Sequence, residues 1–206
     1  MEYEGQVYNT VQICSQCWLK ENLNVGTMIP GGQYPSNNGI IEKYCYNNEP
    51  DSCTKYGGLY RWEEMMQYDS LEGIQGICPP GWHLPMAEEW RVLDGVADTY
   101  FGIGDPIWDH AWGGGAYNAG NHLKTDIGWE SNCICVDKLG FSGMGGGIGV
   151  GNGSFLEVGH SSFWWTSTLK YVDIPWGHQV YCSLNDVFMI LYGQAARFSA
   201  RCIRDE

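Results

Sequence analysis

The strongest hydrophobic pattern in the chain lies between residues 76 and 100. Trp82 and Leu84 alternate with polar positions, as in a short strand, and Pro85 stands where the first helical turn tolerates proline. Apolar side chains then recur at the spacing of one buried helical face, at Met86, Trp90, Leu93, Ala97 and Tyr100. The pattern predicts a short strand that leads into an amphipathic helix and anchors the core.

Alternating or β-rich patterns predict strands in several other segments. They lie at residues 6–13, 18–23, 163–168, 180–191 and 198–203. The first two read as a hairpin that would place Cys14 and Cys17 opposite each other. These two thiols are either free or joined in a local disulfide, and a lone Cys-x-x-Cys does not complete a zinc site.

Three segments between these strands are interpreted as structural rather than catalytic. Trp62, Met65 and Met66 are expected to point inward from a short helix. Residues 49–52 are read as a polar turn closed by a bridge between Cys45 and Cys53. Residues 140–153 hold many glycines without the helix that a dinucleotide-binding fingerprint needs, so we expect a flexible or tightly turned loop.

Composition and charge narrow the possible classes of protein. The chain has 206 residues, of which 44% are hydrophobic and 29 are glycine, so we expect a single domain of short strands and turns. A net charge of −13 disfavours nucleic acid as a partner. No apolar run is long enough for membrane insertion. Residues 1–20 lack a signal-peptide pattern, so export would use a trimmed leader or another route.

The nine cysteines favour disulfides in a secreted or surface protein over metal ligands. A final strand that ends in Cys202 is well placed to return to Cys78. Cys133 and Cys135 are too close along a strand for an unstrained bridge, so each is expected to pair elsewhere or to stay unpaired. Asp105, Asp109 and His110 are weighed as a metal cluster, against the simpler interpretation of a solvated loop.

A series of short motifs makes the chain resemble a known family. In order they are WLKENLN at 18–24, YCYNN at 44–48, YGGLY at 56–60, CPPGWHLP at 78–85 with Glu89 and Trp90 after it, GFS at 140–142, FWWTST at 163–168 and FSARCIRD at 198–205. Together they resemble the Fibrobacter succinogenes major paralogous domain family. The resemblance implies an α+β, C-type lectin-like fold with short twisted antiparallel sheets, two short helices and long loops.

Two departures from the family pattern affect the interpretation. Met86 stands where the family usually has a helix-capping Ser or Thr. Residues 169–197 lack the family's Asn- and Tyr-rich runs and instead resemble the variable region of proteins diversified by retroelements. The simpler alternative is that Val187 to Leu191 form a buried strand.

The resemblance places a binding surface in residues 169–197, because rigid aromatics mixed with small polar groups suit recognition. The candidate ligand-binding residues are Leu169, Lys170, Tyr171, Asp173, Trp176, His178, Tyr181, Ser183, Asn185, Phe188, Met189, Tyr192 and Gln194.

We expect a non-catalytic module that binds a cell-surface protein or glycan, outside the cell, on its surface or on a virion. Retroelement-diversified variable proteins and phage receptor-binding proteins are the two forms considered. No cofactor is expected, although the acidic composition would suit calcium. The alternatives are a relative of formylglycine-generating cysteine oxidases, using Cys133/Cys135 or Cys14/Cys17, and a calcium-binding structural module.

Overall fold

A computed structural model describes residues 1–109 and 117–206 of the chain. Within them the α-helices are α1 (Pro50–Tyr56), α2 (Trp62–Met65), α3 (Ala87–Ala97) and α4 (Ala119–Leu123). Single 3₁₀ turns lie at Tyr46–Asn48 and Pro106–Asp109. The remaining regular structure is β-strand, so the fold is α+β, with few helices and several small sheets.

The strands form one large sheet, one medium sheet and two strand pairs. The large sheet contains β7 (Leu59–Tyr60), β9 (Gly146–Gly149), β10 (Phe155–Val158), β11 (Ser161–Tyr171), β12 (Ile174–Tyr181), β13 (Val187–Leu191) and β14 (Phe198–Ser199). The medium sheet contains β3 (Thr10–Ile13), β4 (Gln16–Leu19), β8 (Trp82–His83) and β15 (Ile203–Arg204). The pairs are β1 (Glu2–Tyr3) with β2 (Gln6–Val7), and β5 (Thr27–Met28) with β6 (Glu42–Lys43).

The large sheet separates two hydrophobic cores. Its strand order is β10-β9-β11-β12-β13, and β14 joins β11 to β7. Because successive side chains of a strand point to opposite faces, Trp164 and Trp165 of β11 enter different cores. Trp164 packs with Trp90 of α3, while Trp165 stacks on Phe198 with ring centroids 4.0 Å apart. These two adjacent tryptophans therefore pack the two faces of the sheet against the two cores.

Helix α3 confirms the central sequence prediction and corrects its far end. Trp90, Leu93 and Ala97 are buried, as the apolar spacing predicts. The helix ends at Ala97, so Tyr100 lies beyond it and is 69% exposed. At the other end, the Met86 N–H donates to Glu89 Oε2 at 2.7 Å, and Met86 occupies the N-cap position. The predicted start of the helix is therefore confirmed.

The medium sheet brings the two ends of the domain together. Ile203 of the terminal strand β15 lies between Trp18 of β4 and His83 of β8. The disulfide between Cys78 and Cys202 closes the same region, and a second disulfide joins Cys45 to Cys53. Both of these pairings are confirmed. The third disulfide, between Cys133 and Cys182, was not specified by the sequence.

Two local expectations are corrected by the structure. The polar segment after Glu49 is not a turn but the start of α1, where Pro50 occupies the N1/N2 region and Asp51 the first turn. The glycine-rich segment is not only a loop, because it contains the buried strand β9. A Cβ on Gly147 would lie 2.5 Å from the carbonyl oxygen of Leu156, which explains why glycine is needed there.

The β3–β4 hairpin forms as predicted, but its cysteines do not face each other. Cys17 of β4 lies opposite Gln12, whereas Cys14 is in the turn with a φ of 53°. Both thiols are free, with Cys14 exposed and Cys17 buried. The open choice between free thiols and a local disulfide is thus resolved in favour of free thiols.

Candidate ligand-binding site

The motifs that carry the family resemblance meet in the core. Asn22 Oδ1 accepts hydrogen bonds from Arg201 Nη2 at 2.7 Å and from Trp164 Nε1 at 2.8 Å. Arg201 Nη1 donates to the Phe141 carbonyl at 2.6 Å, and the guanidinium lies 4.2 Å from the centre of the Phe141 ring. Burial lowers the pKa of Arg201 to about 9. These residues hold the fold together, so the site must be sought elsewhere.

An apolar groove lies on the face of the large sheet opposite α3. Its volume is about 410 Å³. It runs between the β9–β10 hairpin and the end of β13. Its lining residues are Ile148, Val150, Leu156, Glu157, Phe163, Gln179, Tyr181, Ile190, Leu191 and Tyr192. Volumes of this order are typical of ligand pockets, which span about 300–1,000 Å³.

Two polar side chains in the groove have unsatisfied capacity for hydrogen bonding. Gln179 is only 4% exposed and lines the groove, yet its carboxamide makes no hydrogen bond with any residue of 1–109 or 117–206. Glu157 is exposed and accepts one hydrogen bond, from Ser161 Oγ at 3.2 Å. It is the single carboxylate among the described residues that line the groove.

Irregular pairing between β9 and β10 sets the position of Glu157. The regular partners on either side are Leu156 with Ile148 and Val158 with Gly146. Glu157 and Gly147 lie between these pairs with positive φ values of 68° and 69°. A non-glycine residue in this conformation is uncommon. The backbone thus holds a strained acidic residue beside the groove.

The predicted binding residues fall into three groups, of which the first lies at the β11–β12 hairpin end of the sheet. Tyr171 and Asp173 are exposed at the hairpin tip, with Val172 between them 85% exposed. The amide of Tyr192 contacts the Pro175 carbonyl, which brings the end of β13 beside this hairpin. Leu169, Lys170 and Gln194 accompany this group and are exposed or half-buried. Tyr181 and Phe188 lie on the groove face of the sheet away from the tip, Tyr181 at the far end of β12; their rings pack edge to face and are half-buried.

Ser183 and Asn185 lie at the other end of β12. The strand has eight residues, so they are separated from the hairpin tip by roughly 23 Å. Asn185 Oδ1 accepts from Asn121 Nδ2 at 2.7 Å. Nearby, the buried Lys124 donates to the carbonyls of Tyr181 and Leu184 at 2.8 and 2.9 Å, and burial lowers its pKa to about 8. This end is therefore occupied by structural contacts.

Trp176, His178 and Met189 form the third group, whose side chains are buried in the core on the α3 side of the sheet. His178 Nε2 lies 2.9 Å from Asp94 Oδ1, and its ring stacks on Trp90. The simpler interpretation of Val187 to Leu191 as a buried strand holds for Val187, Met189 and Ile190, whereas Leu191 is exposed. A partner at the surface cannot contact the three buried side chains in this arrangement.

The cysteine and metal candidates are not gathered into a site. Cys133 is bonded to Cys182, which leaves Cys135 as a free, half-buried thiol whose pKa is raised by burial. Asp109 lies 3.6 Å from Arg91, and Asp105 accepts the Ile107 N–H. His110 lies outside the described residues. Across residues 1–109 and 117–206, no group of three or more His, Cys, Asp or Glu side chains is placed to hold a metal ion.

A second depression, of about 620 Å³, lies beside the start of α3 and is more polar. His83 in this depression contacts Glu89 Oε1 at 2.9 Å and Asp205 Oδ1 at 2.7 Å. Glu89 also receives the Met86 N–H. Because these polar groups satisfy one another, the apolar groove remains the stronger candidate site.

Comparison with known proteins shows the family directly. The model of the Fibrobacter succinogenes major domain matches residues 11–204, which is nearly the whole chain. The chain belongs to this family. The resemblance inferred from the motifs is therefore confirmed. No curated protein and no solved structure matches the chain.

Half of the groove of this Fibrobacter succinogenes major domain lies outside the predicted binding region. Ile148, Val150, Leu156 and Glu157 come from the β9–β10 hairpin, which the sequence presents as a glycine-rich loop. The short, mostly apolar run Phe155 to Val158 after the glycines is a weak strand signal that points to this hairpin. Its position across the sheet from β13 depends on long-range strand pairing, which one sequence does not reveal.

Proposed function

We propose that this major domain is a non-catalytic recognition module that binds a cell-surface protein or glycan. The observation that carries the proposal is the open apolar groove beside the exposed β11–β12 hairpin tip. Exposed apolar and aromatic surface next to a concave site is typical of interaction surfaces. Most of the family motifs lie in the core, and of their residues only Phe163 lines the groove.

A C-type lectin-like arrangement is part of the proposal. It is supported by the pairing of the early strand β4 with the terminal strand β15, and by the Cys78–Cys202 disulfide that closes the same end. A long, loop-rich segment between these strands carries the proposed site. The scaffold would then hold the site at a distance from the chain ends.

The proposed location is outside the cell, on a cell surface or a virion. Three disulfides suggest an oxidising, extracellular environment. No helix among the described residues is long and apolar enough to cross a bilayer. Surface display would present the groove to partners on other cells.

Diversification by a retroelement is a further part of the proposal, and it is supported by exposure. Lys170, Tyr171 and Asp173 are exposed at the hairpin tip, so changes there would leave both cores intact. The buried positions of the region do not have this freedom. A diversified protein would therefore vary at the tip and the groove rim rather than throughout residues 169–197.

The proposal is tested by binding to intact cells and glycans. Fluorescently labelled domain is incubated with a panel of bacterial cells, measured by flow cytometry, and with a glycan array. The double variant Tyr171→Ala/Tyr192→Ala is expected to lose at least about ten-fold in binding, because aromatic anchors dominate interface energies. The matched control is Tyr100→Ala, which removes an exposed tyrosine from the segment after α3.

Two results would contradict the proposal. One is full binding by the folded double variant, which would place recognition elsewhere. The other is no binding by the wild-type domain to any cell or glycan in the panel.

A further inference from the structure

We propose that the apolar groove binds a polypeptide segment in which a bulky apolar side chain is flanked by lysine or arginine. This inference rests on the proposed recognition function and names the chemistry of the partner. Three properties of the groove carry it: its lining, the unpartnered amide of Gln179 and the carboxylate of Glu157.

The lining favours an apolar side chain over a sugar. Six of the lining residues present hydrocarbon surface, namely Ile148, Val150, Leu156, Phe163, Ile190 and Leu191. Hydroxyl groups project around the rim of a sugar ring, and those turned toward the groove would lose water without finding partners against aliphatic carbon. A leucine, methionine or aromatic side chain gives up no hydrogen bond on entering such a groove and removes apolar surface from water.

Gln179 supplies the polar recognition expected for a peptide backbone. Its carboxamide has donors and an acceptor, is almost fully buried, and lacks any partner within the described parts of the chain. Since no described residue pairs with it, the partner open to this amide in the free protein is solvent in the groove, which a bound segment can displace. One residue of an extended bound segment presents its N–H and its C=O on the same side, so it can satisfy both halves of the carboxamide.

Glu157 supplies the charge preference. No lysine, arginine or histidine lies among the described lining residues, and the whole chain carries a net charge of −13. The Glu157 carboxylate has one hydrogen bond, from Ser161, and its remaining acceptor capacity faces solvent. A cationic side chain next to the apolar anchor complements this charge, whereas an acidic segment is repelled.

The first experiment selects ligands from a phage-displayed library of random dodecapeptides on the immobilised wild-type domain at low salt. We expect a consensus with one bulky apolar residue within two positions of a lysine or arginine. An acidic or purely polar consensus, or no enrichment at all, would overturn the inference.

The second experiment measures the affinity of the selected peptide for groove variants by isothermal titration calorimetry. Leu156→Ser removes half-exposed rim surface and is expected to weaken binding about ten-fold. Glu157→Gln is expected to weaken it about two- to five-fold at low salt and less at high salt. The control Glu88→Gln removes an equal charge from α3, on the opposite face of the sheet, and should leave affinity unchanged.

Gln179→Met separates recognition from a structural role. Methionine has a similar shape but no amide, so the variant should keep or raise its melting temperature while binding the peptide about ten-fold more weakly. A lower melting temperature with unchanged affinity would show that Gln179 acts only in the fold. That result would overturn its assigned role.

Failure of this inference is distinguishable from failure of the proposed function. Cell binding that depends on Tyr171 and Tyr192, without a basic and apolar peptide consensus, would leave the recognition function and remove the inference. A glycan that competes for the groove would also overturn the inference, because the groove would then bind sugar. A dimer that depends on Leu156 in analytical ultracentrifugation would overturn it as well, because a second copy of the chain would then fill the groove.

Discussion

Arg201 and Asn22 lie 179 residues apart in the chain and are joined in the core by two hydrogen bonds. Arg201 Nε and Nη2 donate to the same Asn22 Oδ1 at 3.1 and 2.7 Å. Asn22 Nδ2 in turn donates to the Tyr56 carbonyl at 2.8 Å. One buried network thus ties the first motif of the chain to the last.

The planar guanidinium of Arg201 is predicted to be irreplaceable by lysine. A lysine cannot reach both Asn22 Oδ1 and the Phe141 carbonyl, so Arg201→Lys leaves buried acceptors unpaired and should lower the free energy of unfolding by about 3 kcal/mol. The conservative control is Arg204→Lys at the exposed position of β15, expected within about 0.5 kcal/mol of wild type. Urea denaturation measures both. Equal stability of the two variants would refute the structural role of the network.

The buried pair of His178 and Asp94 is predicted to be structural. Asp94→Ala leaves the imidazole without its partner and should cost about 3 kcal/mol of unfolding free energy. In a His178→Phe background the same change should cost about 2 kcal/mol less, because no polar ring then needs a partner. A double-mutant cycle by chemical denaturation measures this coupling. If the two substitutions lower the free energy of unfolding additively, the 2.9 Å contact between His178 and Asp94 contributes nothing to stability.

Met86 at the N-cap of α3 offers a stabilising substitution. A serine hydroxyl is a stronger acceptor than a methionine thioether for the amides of the first turn, so Met86→Ser should raise stability by about 1 kcal/mol. Thr168 Oγ1 already accepts the Ala87 N–H, which leaves the following amides for the new cap. Differential scanning calorimetry should show a higher melting temperature. An unchanged or lower value would mean that packing by Met86 outweighs a cap.

His83 gives the stability of the fold a defined pH dependence. Hydrogen bonding to Glu89, reinforced by Asp205, raises the pKa of His83 above its ordinary value. A raised folded-state pKa contributes stability that is fully present below the unfolded pKa and is lost as pH rises through the folded pKa. The stability difference between wild type and His83→Gln should therefore be largest near pH 5 and disappear at alkaline pH.

The measurement for His83 is denaturation of both proteins between pH 5 and 9. His160→Gln is the control, because His160 and its partner Glu130 are both more than half exposed and such pairs contribute little. A difference that grows with rising pH would reverse the predicted sign.

Local patterns predicted the parts of the fold that depend on neighbours in sequence. The face of α3 around Trp90 and Leu93 follows from a spacing of three to four residues, and Pro85 marks its start. The Cys78–Cys202 pairing followed from the place of Cys202 at the end of the terminal strand. The helix depends on neighbours in sequence, whereas the disulfide joins cysteines 124 residues apart and was inferred from the position of the second one.

The features that the sequence did not reveal depend on contacts across the chain. Cys133 finds Cys182 only once β12 and the preceding loop are in place. Histidine often occurs at surface binding sites, but His178 lies opposite Asp94 and is buried. The sequence places Gly147 in a flexible loop. In the structure it belongs to β9, and the backbone of β10 lies directly against it. The groove forms only when the β9–β10 hairpin joins β11, β12 and β13 in one sheet, so only half of its lining was predicted.

The most direct test of the account is the amide hydrogen-exchange footprint of the selected peptide on the wild-type domain. The account predicts that binding protects Phe155–Val158, Val187–Leu191 and residues 170–173 while α3 exchanges as in the free protein. Protection confined to α3 and the depression around His83, with the sheet face unchanged, would contradict it.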